Sequence, residues 1–362
     1  MMTSIHTHNV RVQKIRLISL TVTDVERSKK FYTEAFSFKL ILNVGFTGLR
    51  GKYEDNHQSK LARITPTEMR QVTLQLGEEK IELMEYQGVA GKPIPTDSQS
   101  NDLWFQHLAI VVSDIDRAYD HLKSFEISPI SSGVQTLPSG IRAFKFKDPD
   151  GHNLEIIWFP PEQSKDKWQQ NTEELFLGID HSAITVADTE QSLKFYQDIL
   201  GMEVEESKIN SGKIQAHLDG LPEAKVRVTS LRTRQGGLGI ELLDYIVPGT
   251  GRPLFRSQQG GFGMELLDDI GSFGTSKPLP DNWQRYDIAH MEIQFLVEDL
   301  KAATNTLKEN GVEIIPRYLV HTYFSNSPTR CPFRHACLAK DPNGHAIMLI
   351  TLFDALGLKQ DS

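Results

Sequence analysis

A continuous apolar run, Leu108 to Val112, follows His107 in "HLAIVVSD" and stops at the polar pair Ser113 and Asp114. Directly after it, "IDRAYDHL" changes to a helical repeat. On a strand, alternate side chains share a face. His107, Ala109 and Val111 therefore lie on one face, and Leu108, Ile110 and Val112 on the other. The same grammar occurs at "LISLTVTDVERSKKFY" from Leu17, "HSAITVADTEQSLKFY" from His181 and "EIQFLVEDLKAATNTL" from Glu292. The junction residues are Asp24, Asp114, Asp188 and Asp299. Each is expected to cap its helix, because a carboxylate there accepts from the free N–H groups of the first turn. Short β-branched runs separated by turn residues follow each helix, as in "VTLQLGEEKIELMEY" and "IRAFKFKDPDGHNLEIIWF". Asp-Pro-Asp-Gly from Asp148 and Asp-Pro-Asn-Gly from Asp341 predict tight turns before a last strand. Each unit thus reads β-α-β-β-β, over 15–90, 103–160, 177–248 and 288–354.

The units also group into halves. Leu17–Tyr32 aligns with His181–Tyr196 without a gap, "IELMEY" from Ile81 with "IELLDY" from Ile240, and "GKPIP" from Gly91 with "GRPLF" from Gly251. Internal repetition of this kind decides architecture before any local detail does. It predicts one half over 1–160, a linker over 161–176 and a second half over 177–354. The linker falls in "PPEQSKDKWQQNTEE", a polar, proline-led stretch from Pro160 to Glu174. A Gly-rich insert from Pro248 to Tyr286 separates the third and fourth units, and long loops are often lids or binding loops. Its "GGFGMELLDDIG" sits outside any βαβ unit, so a phosphate cradle is not expected there.

Composition narrows the partners. The 362 residues are 39% hydrophobic and carry a formal charge of −8, without a block of Lys and Arg. Nucleic acid is therefore not an expected partner. No apolar run is long enough for a bilayer, and "MMTSIHTHNV" has no signal-peptide core. The expectation is a cytoplasmic protein with Cys331 and Cys337 as reduced thiols.

Two positions of the repeat carry chemistry. Seven residues before the capping Asp stand Leu17, His107, His181 and Glu292, with His290 two residues earlier in the fourth unit. The last strands carry Glu82, Glu155, Glu241 and Met348 at equivalent places. A half-buried carboxylate in an apolar strand is costly unless paired or bound to metal. One such His or Glu is more often structural, but recurrence at matched positions favours a metal site. Two His and two Glu suit Zn, Ni, Fe, Mn or Co.

With "HLAIVVSD", "DPDGHNLEI", "IDHSAITVADTEQSLKFY" and "GIELLDY", the chain resembles the vicinal oxygen chelate superfamily along nearly its whole length. That superfamily includes glyoxalase I, bleomycin-resistance proteins and extradiol dioxygenases. The resemblance implies an α+β fold in which four βαβββ units form two paired half-barrels, each able to surround a divalent metal. Tandem pairing would give Glu82, His107 and Glu155 as one set, and His181, Glu241 and His290 or Glu292 as another. Nested pairing would unite His107, Glu155, His181 and Glu241 around one metal, and group Leu17 with Met348. Burial of polar groups favours the nested set.

What the resemblance implies chemically is a glyoxalase-type isomerase or lyase. It would act on a small dicarbonyl or hydroxycarbonyl compound through a metal-bound enediolate, with Glu155 or Glu241 as ligand and base. Two alternatives stay open. An extradiol-type ring-cleaving dioxygenase would use Fe or Mn, with "HTYF" (His321–Phe324) as a candidate second-sphere pair. A metal-free, small-molecule-binding protein of the resistance type is the other. Trp104, Phe105, Phe262, Trp283, Tyr318, Tyr323, Phe324 and Arg334 flank connecting segments, as cavity lining or as core and rim. A small-molecule substrate is the expected partner, and monomer and homodimer both remain open.

Overall fold

The computed structural model describes residues 10–47, 68–168, 173–248, 283–315 and 336–351. The "GGFGMELLDDIG" segment, Phe262, Tyr318, His321–Phe324, Cys331 and Arg334 lie outside the described residues.

The first unit contains β1 (Lys14–Thr21), α1 (Val25–Phe36), β2 (Lys39–Thr47), β3 (Glu68–Leu76) and β4 (Glu79–Gln87). The second has β5 (Gln106–Val112), α2 (Ile115–Leu122), two short strands β6 (Ser128–Pro129) and β7 (Gln135–Thr136), β8 (Arg142–Lys147) and β9 (Asn153–Trp158). The third has β10 (Phe176–Thr185), α3 (Thr189–Leu193) running into a wider helical turn over Lys194–Ile199, and β11 (Glu203–Ser211). It continues with α4 (Gly212–Asp219), β12 (Lys225–Arg232) and β13 (Gly239–Val247). The fourth has β14 (Met291–Leu296), α5 (Leu300–Glu309), β15 (Ile314–Ile315), β16 (Ala336–Lys340) and β17 (Ala346–Ile350). All four junction Asps cap their helices, each side chain accepting from first-turn backbone N–H groups. The helix α4 is an addition to the β-α-β-β-β plan. Its end is set by Gly220, whose φ of 63° is the left-handed cap conformation that glycine adopts without strain.

The strands form two sheets, and each sheet takes one unit from each half. One has the order β15-β16-β17-β14-β1-β4-β3-β2, joining units four and one; the other runs β11-β12-β13-β10-β5-β9-β8-β6, joining units three and two. First strands meet antiparallel in both sheets, β1 with β14 and β10 with β5. Buried side chains of all four units share one hydrophobic core, including Ile18, Phe36, Phe146, Phe176, Ile184, Tyr196 and Phe295.

The repeated turns fasten the sheets to each other. Tyr32 of α1 donates its hydroxyl to Asp148 Oδ2 at 2.9 Å, and Tyr196 donates to Asp341 Oδ2 at 3.0 Å. His152 sits between Asp148 (Nδ1 to Oδ2, 3.1 Å) and the carbonyl of Ile288 (Nε2 to O, 2.9 Å). His345 reaches the carbonyl of Thr185 at 2.9 Å in the same way. The "FY" and "DPxGH" signatures of the repeats are therefore joints between units one and two and between units three and four.

Candidate metal centre

Across the nine-stranded sheet, pairing sets Glu155 beside Ala109, Ala109 beside His181 and His181 beside Gly239. The adjacent row is Asn153, His107, Ala183 and Glu241. Residues paired across strands share a face, so both His and both Glu project from one side. Ala109 and Ala183 separate them, and their small side chains leave space above the sheet.

The four groups converge. His107 Nε2 lies 3.1 Å from Glu155 Oε2, and His181 Nε2 lies 3.7 Å from that oxygen and 3.3 Å from Glu241 Oε2. Ligand atoms of His107, Glu155 and His181 all fall within 4.8 Å of one another. Metal bonds of about 2.1 Å at right angles place neighbouring ligand atoms roughly 3 Å apart, so these spacings match a common cation. Among the described residues, His107 Nδ1 and His181 Nε2 are buried without a hydrogen-bond partner. Buried imidazole nitrogens are normally satisfied, and a cation between the rings would satisfy His181 Nε2. The donor set thus fits a divalent metal.

Electrostatics favour the carboxylate form of Glu155 and the neutral form of His107. Burial pushes the Glu155 carboxyl up, but the His107 hydrogen bond and the charges of His107, Lys145 and His181 outweigh it and bring it down to about 2. Burial, followed by the Lys145 charge, lowers His107. Burial also opposes the His181 cation, yet Glu241, Asp180 and Glu155 together raise it.

The sequence reading missed the support behind His181. Its Nδ1 lies 3.0 Å from Asp180 Oδ2. Adjacent residues of a regular strand face opposite ways, but the β10–β5 register shifts between Ile179 and His181, so Asp180 occupies a bulge. Asp180 also accepts from Arg232 Nη2 at 2.9 Å and from Lys165 Nζ at 2.6 Å. Burial pushes its carboxyl up, while His181, Arg232 and Lys165 hold it well below the usual carboxylate range. Arg232 reaches it by crossing Gly239, where a Cβ would stand 1.6 Å from Arg232 Nη1. Lys165 comes from the linker, so that segment contributes to the centre as well as tethering the halves.

A cavity of about 370 Å³ opens on these residues, lined in part by His107, Lys145, Glu155, His181, Glu241 and Tyr245. Trp104, Phe105 and Trp283 are not among its walls. Phe105 instead packs with its ring 5.7 Å from that of His107, and Trp104 and Trp283 meet at 5.4 Å.

The other candidates lie in the eight-stranded sheet. Glu82 accepts from Ser19 Oγ at 3.0 Å, from Gln294 Nε2 at 3.1 Å and from Gln71. Glu292 lies 3.2 Å from Arg285 Nη2 and 3.5 Å from His290 Nε2. Leu17 is paired with Gln294, and Gln294 with Met348. Hence Glu82 joins neither His107 nor Glu155, and His290 and Glu292 join neither His181 nor Glu241.

Fold and site together define a family of paired βαβββ units around a shared concave face. The sequence profile described as the Glyoxalase/Bleomycin resistance protein/Dioxygenase superfamily matches residues 14–156 and 178–349, and the chain belongs to that superfamily. A lactoylglutathione lyase of Schizosaccharomyces pombe is 27% identical over 211 residues, covering 55% of this chain and 62% of that protein. This chain therefore spans under two thirds of that relative's length. A mutant form of glyoxalase I from Zea mays superposes with a TM-score of 0.53 at 18% identity, covering 94% of each chain. A putative dioxygenase of Bacillus subtilis gives 0.52 at 13% identity, covering 94% of this chain and 86% of that one. Both likenesses establish the fold. No described helix is long and apolar enough to cross a membrane.

Proposed function

We propose that the chain is a divalent-metal-dependent enzyme of glyoxalase type, an isomerase or lyase for a small dicarbonyl or hydroxycarbonyl compound. The observation that carries this reading is the convergence of His107, Glu155, His181 and Glu241 on one cavity face. A divalent cation held there supplies Lewis acidity to adjacent substrate oxygens. The protein's own residues would orient the substrate and move a proton between neighbouring carbons. Glu241 suits the proton-carrying role. Its side chain is 22% exposed, against 6% for Glu155, and among the described residues its one hydrogen bond comes from Ser230 at 2.9 Å. Glu155 is confined between the two imidazoles and serves as the fixed carboxylate. In this reading the halves 1–160 and 177–354 each lend one unit to the centre, and the protein works on its small-molecule substrate in the cytoplasm.

Elemental analysis of the purified protein is expected to find one divalent metal per chain, diminished by His107→Ala and by His181→Ala. Metal-dependent turnover of small dicarbonyls is expected to disappear in Glu241→Gln and Glu155→Gln. Full activity in both variants would overturn the proposal. Protein that holds no metal and takes up none after dialysis would favour a binding role.

One observation supports a second reading. The tight group of His107, His181 and Glu155 is a two-His, one-carboxylate set, the type used by iron oxygenases. Oxygen uptake with catechols after anaerobic iron loading, retained in Glu241→Gln, would select the dioxygenase.

A further inference from the structure

Lys145 stands beside the proposed centre without a role in it. On β8 it pairs with Glu155 of β9, so it extends the row Glu155, Ala109, His181 by one strand and shares their face. Its side chain is 5% exposed and lines the cavity. Its ammonium donates to Asp219 Oδ1 at 2.7 Å, and Asp219, at the end of α4, also accepts from Gln215 Nε2 at 2.7 Å. The added helix therefore delivers the counter-charge for Lys145.

An ammonium has three N–H groups, and one bond to a described residue engages one of them. Other cations on the cavity wall differ. Arg232 spends its guanidinium on Asp180 and Glu205, while the side chains of Lys165 and Lys208 are 38% and 36% exposed. Lys145 is the lysine on this wall that burial shields from solvent. A buried cation with donors to spare, next to groups that would hold a metal, suits an oxygen bearing negative charge.

We propose that Lys145 positions the substrate by donating to an anionic oxygen of a vicinal-oxygen chelate. This inference rests on the metal-centre reading above. It selects compounds in which one of the two adjacent oxygens is, or becomes, an oxyanion, and disfavours neutral ligands of the same metal.

The test is calorimetric titration of the zinc-loaded protein with acetohydroxamate, an anionic O,O-chelator, and with imidazole, a neutral ligand. Lys145→Met alone leaves the buried Asp219 carboxylate without its counter-cation, so the informative variant combines Lys145→Met with Asp219→Asn. Acetohydroxamate is expected to weaken by about ten- to a hundredfold, the span of a hydrogen bond to a charged group. Imidazole affinity is expected to hold. An unchanged hydroxamate affinity, an equal loss for both probes, or loss of zinc from the double variant would each overturn the role of Lys145 and leave the metal centre standing. Wild-type protein that binds no zinc or other divalent metal would instead remove the metal centre, and this inference with it.

Discussion

Replacing Asp180 with Asn probes the centre through a residue that holds no metal itself. The wild-type carboxylate receives His181 Nδ1 at 3.0 Å, Arg232 at 2.9 Å and Lys165 at 2.6 Å. An Asn amide has one oxygen to offer these three donors, and its NH2 group adds a fourth. If that NH2 turns toward His181, the imidazole must present a lone pair at Nδ1 and carry its proton on Nε2, where the metal bond belongs. If the oxygen turns toward His181, the bond survives without its ionic part. Such second-sphere losses weaken metal by about 10–100-fold, in line with the roughly 1.5–3 kcal/mol of a hydrogen bond to a charged group. The fold should suffer less. Arg232 keeps Glu205 at 2.7 Å and the Asp180 backbone carbonyl at 2.8 Å, and the partly exposed Lys165 can turn to water. Competition against a chelating dye gives the metal affinity, and urea unfolding of the metal-free protein gives the stability. Wild-type metal affinity in Asp180→Asn would refute the argument that the bulge at Asp180 exists to fix His181.

Two further outcomes follow from the same geometry. Burial disfavours the His152 cation, but Asp148 raises it; burial pushes Asp148 up, but His152, backbone N–H groups and Tyr32 lower it. A raised His stabilises the fold below its unfolded pKa and loses that contribution as pH rises through the folded value. A lowered Asp stabilises above its unfolded pKa and loses it as pH falls. The joint is thus strongest between about pH 4 and 6.5, and the stability gap between wild type and His152→Gln should be widest there and narrow at alkaline pH. A gap independent of pH in thermal melts would contradict this. Glu82→Gln should leave metal content unchanged while costing about 1–3 kcal/mol in urea unfolding, because its new NH2 faces the donors Gln71 and Gln294. Loss of metal in that variant would show the two sheets to be coupled at the centre.

The periodicity of the chain made the units legible, because a strand ending on a capping Asp is a local event and Asp24, Asp114, Asp188 and Asp299 each repeat it. The four candidate ligands were legible for the same reason, as equivalent positions of one repeat. Their grouping was legible only in part: burial of polar groups favoured the nested set but left the tandem one open. Tandem and nested pairing place the same residues on the same strands, and the choice is made by contact between β10 and β5, which no local pattern encodes. Asp180 escaped notice because strict alternation puts it on the face opposite His181, and a bulge leaves no mark in a hydrophobic pattern. Helix α4 had a sequence signal in "SGKIQAHLDGLP", with Ser211 as its N-cap and Gly220 as its C-cap. The β-α-β-β-β grammar of the repeat has no place for a second helix, so this signal falls outside it.

The exchange of units between halves also has a consequence in time. Ser19 on β1 receives its hydrogen bond from Gln294, across a separation of 275 residues, whereas Gln106 and Ser182 meet across 76. Contacts distant in sequence form late, since the chain between them must first be confined. During synthesis the sheet carrying the candidate ligands can assemble once the third unit has emerged. The first unit meanwhile waits with one edge of β1 open until the ribosome has passed Leu296. The stretch of synthesis between those two events is when this protein is most exposed to mispairing with other nascent strands.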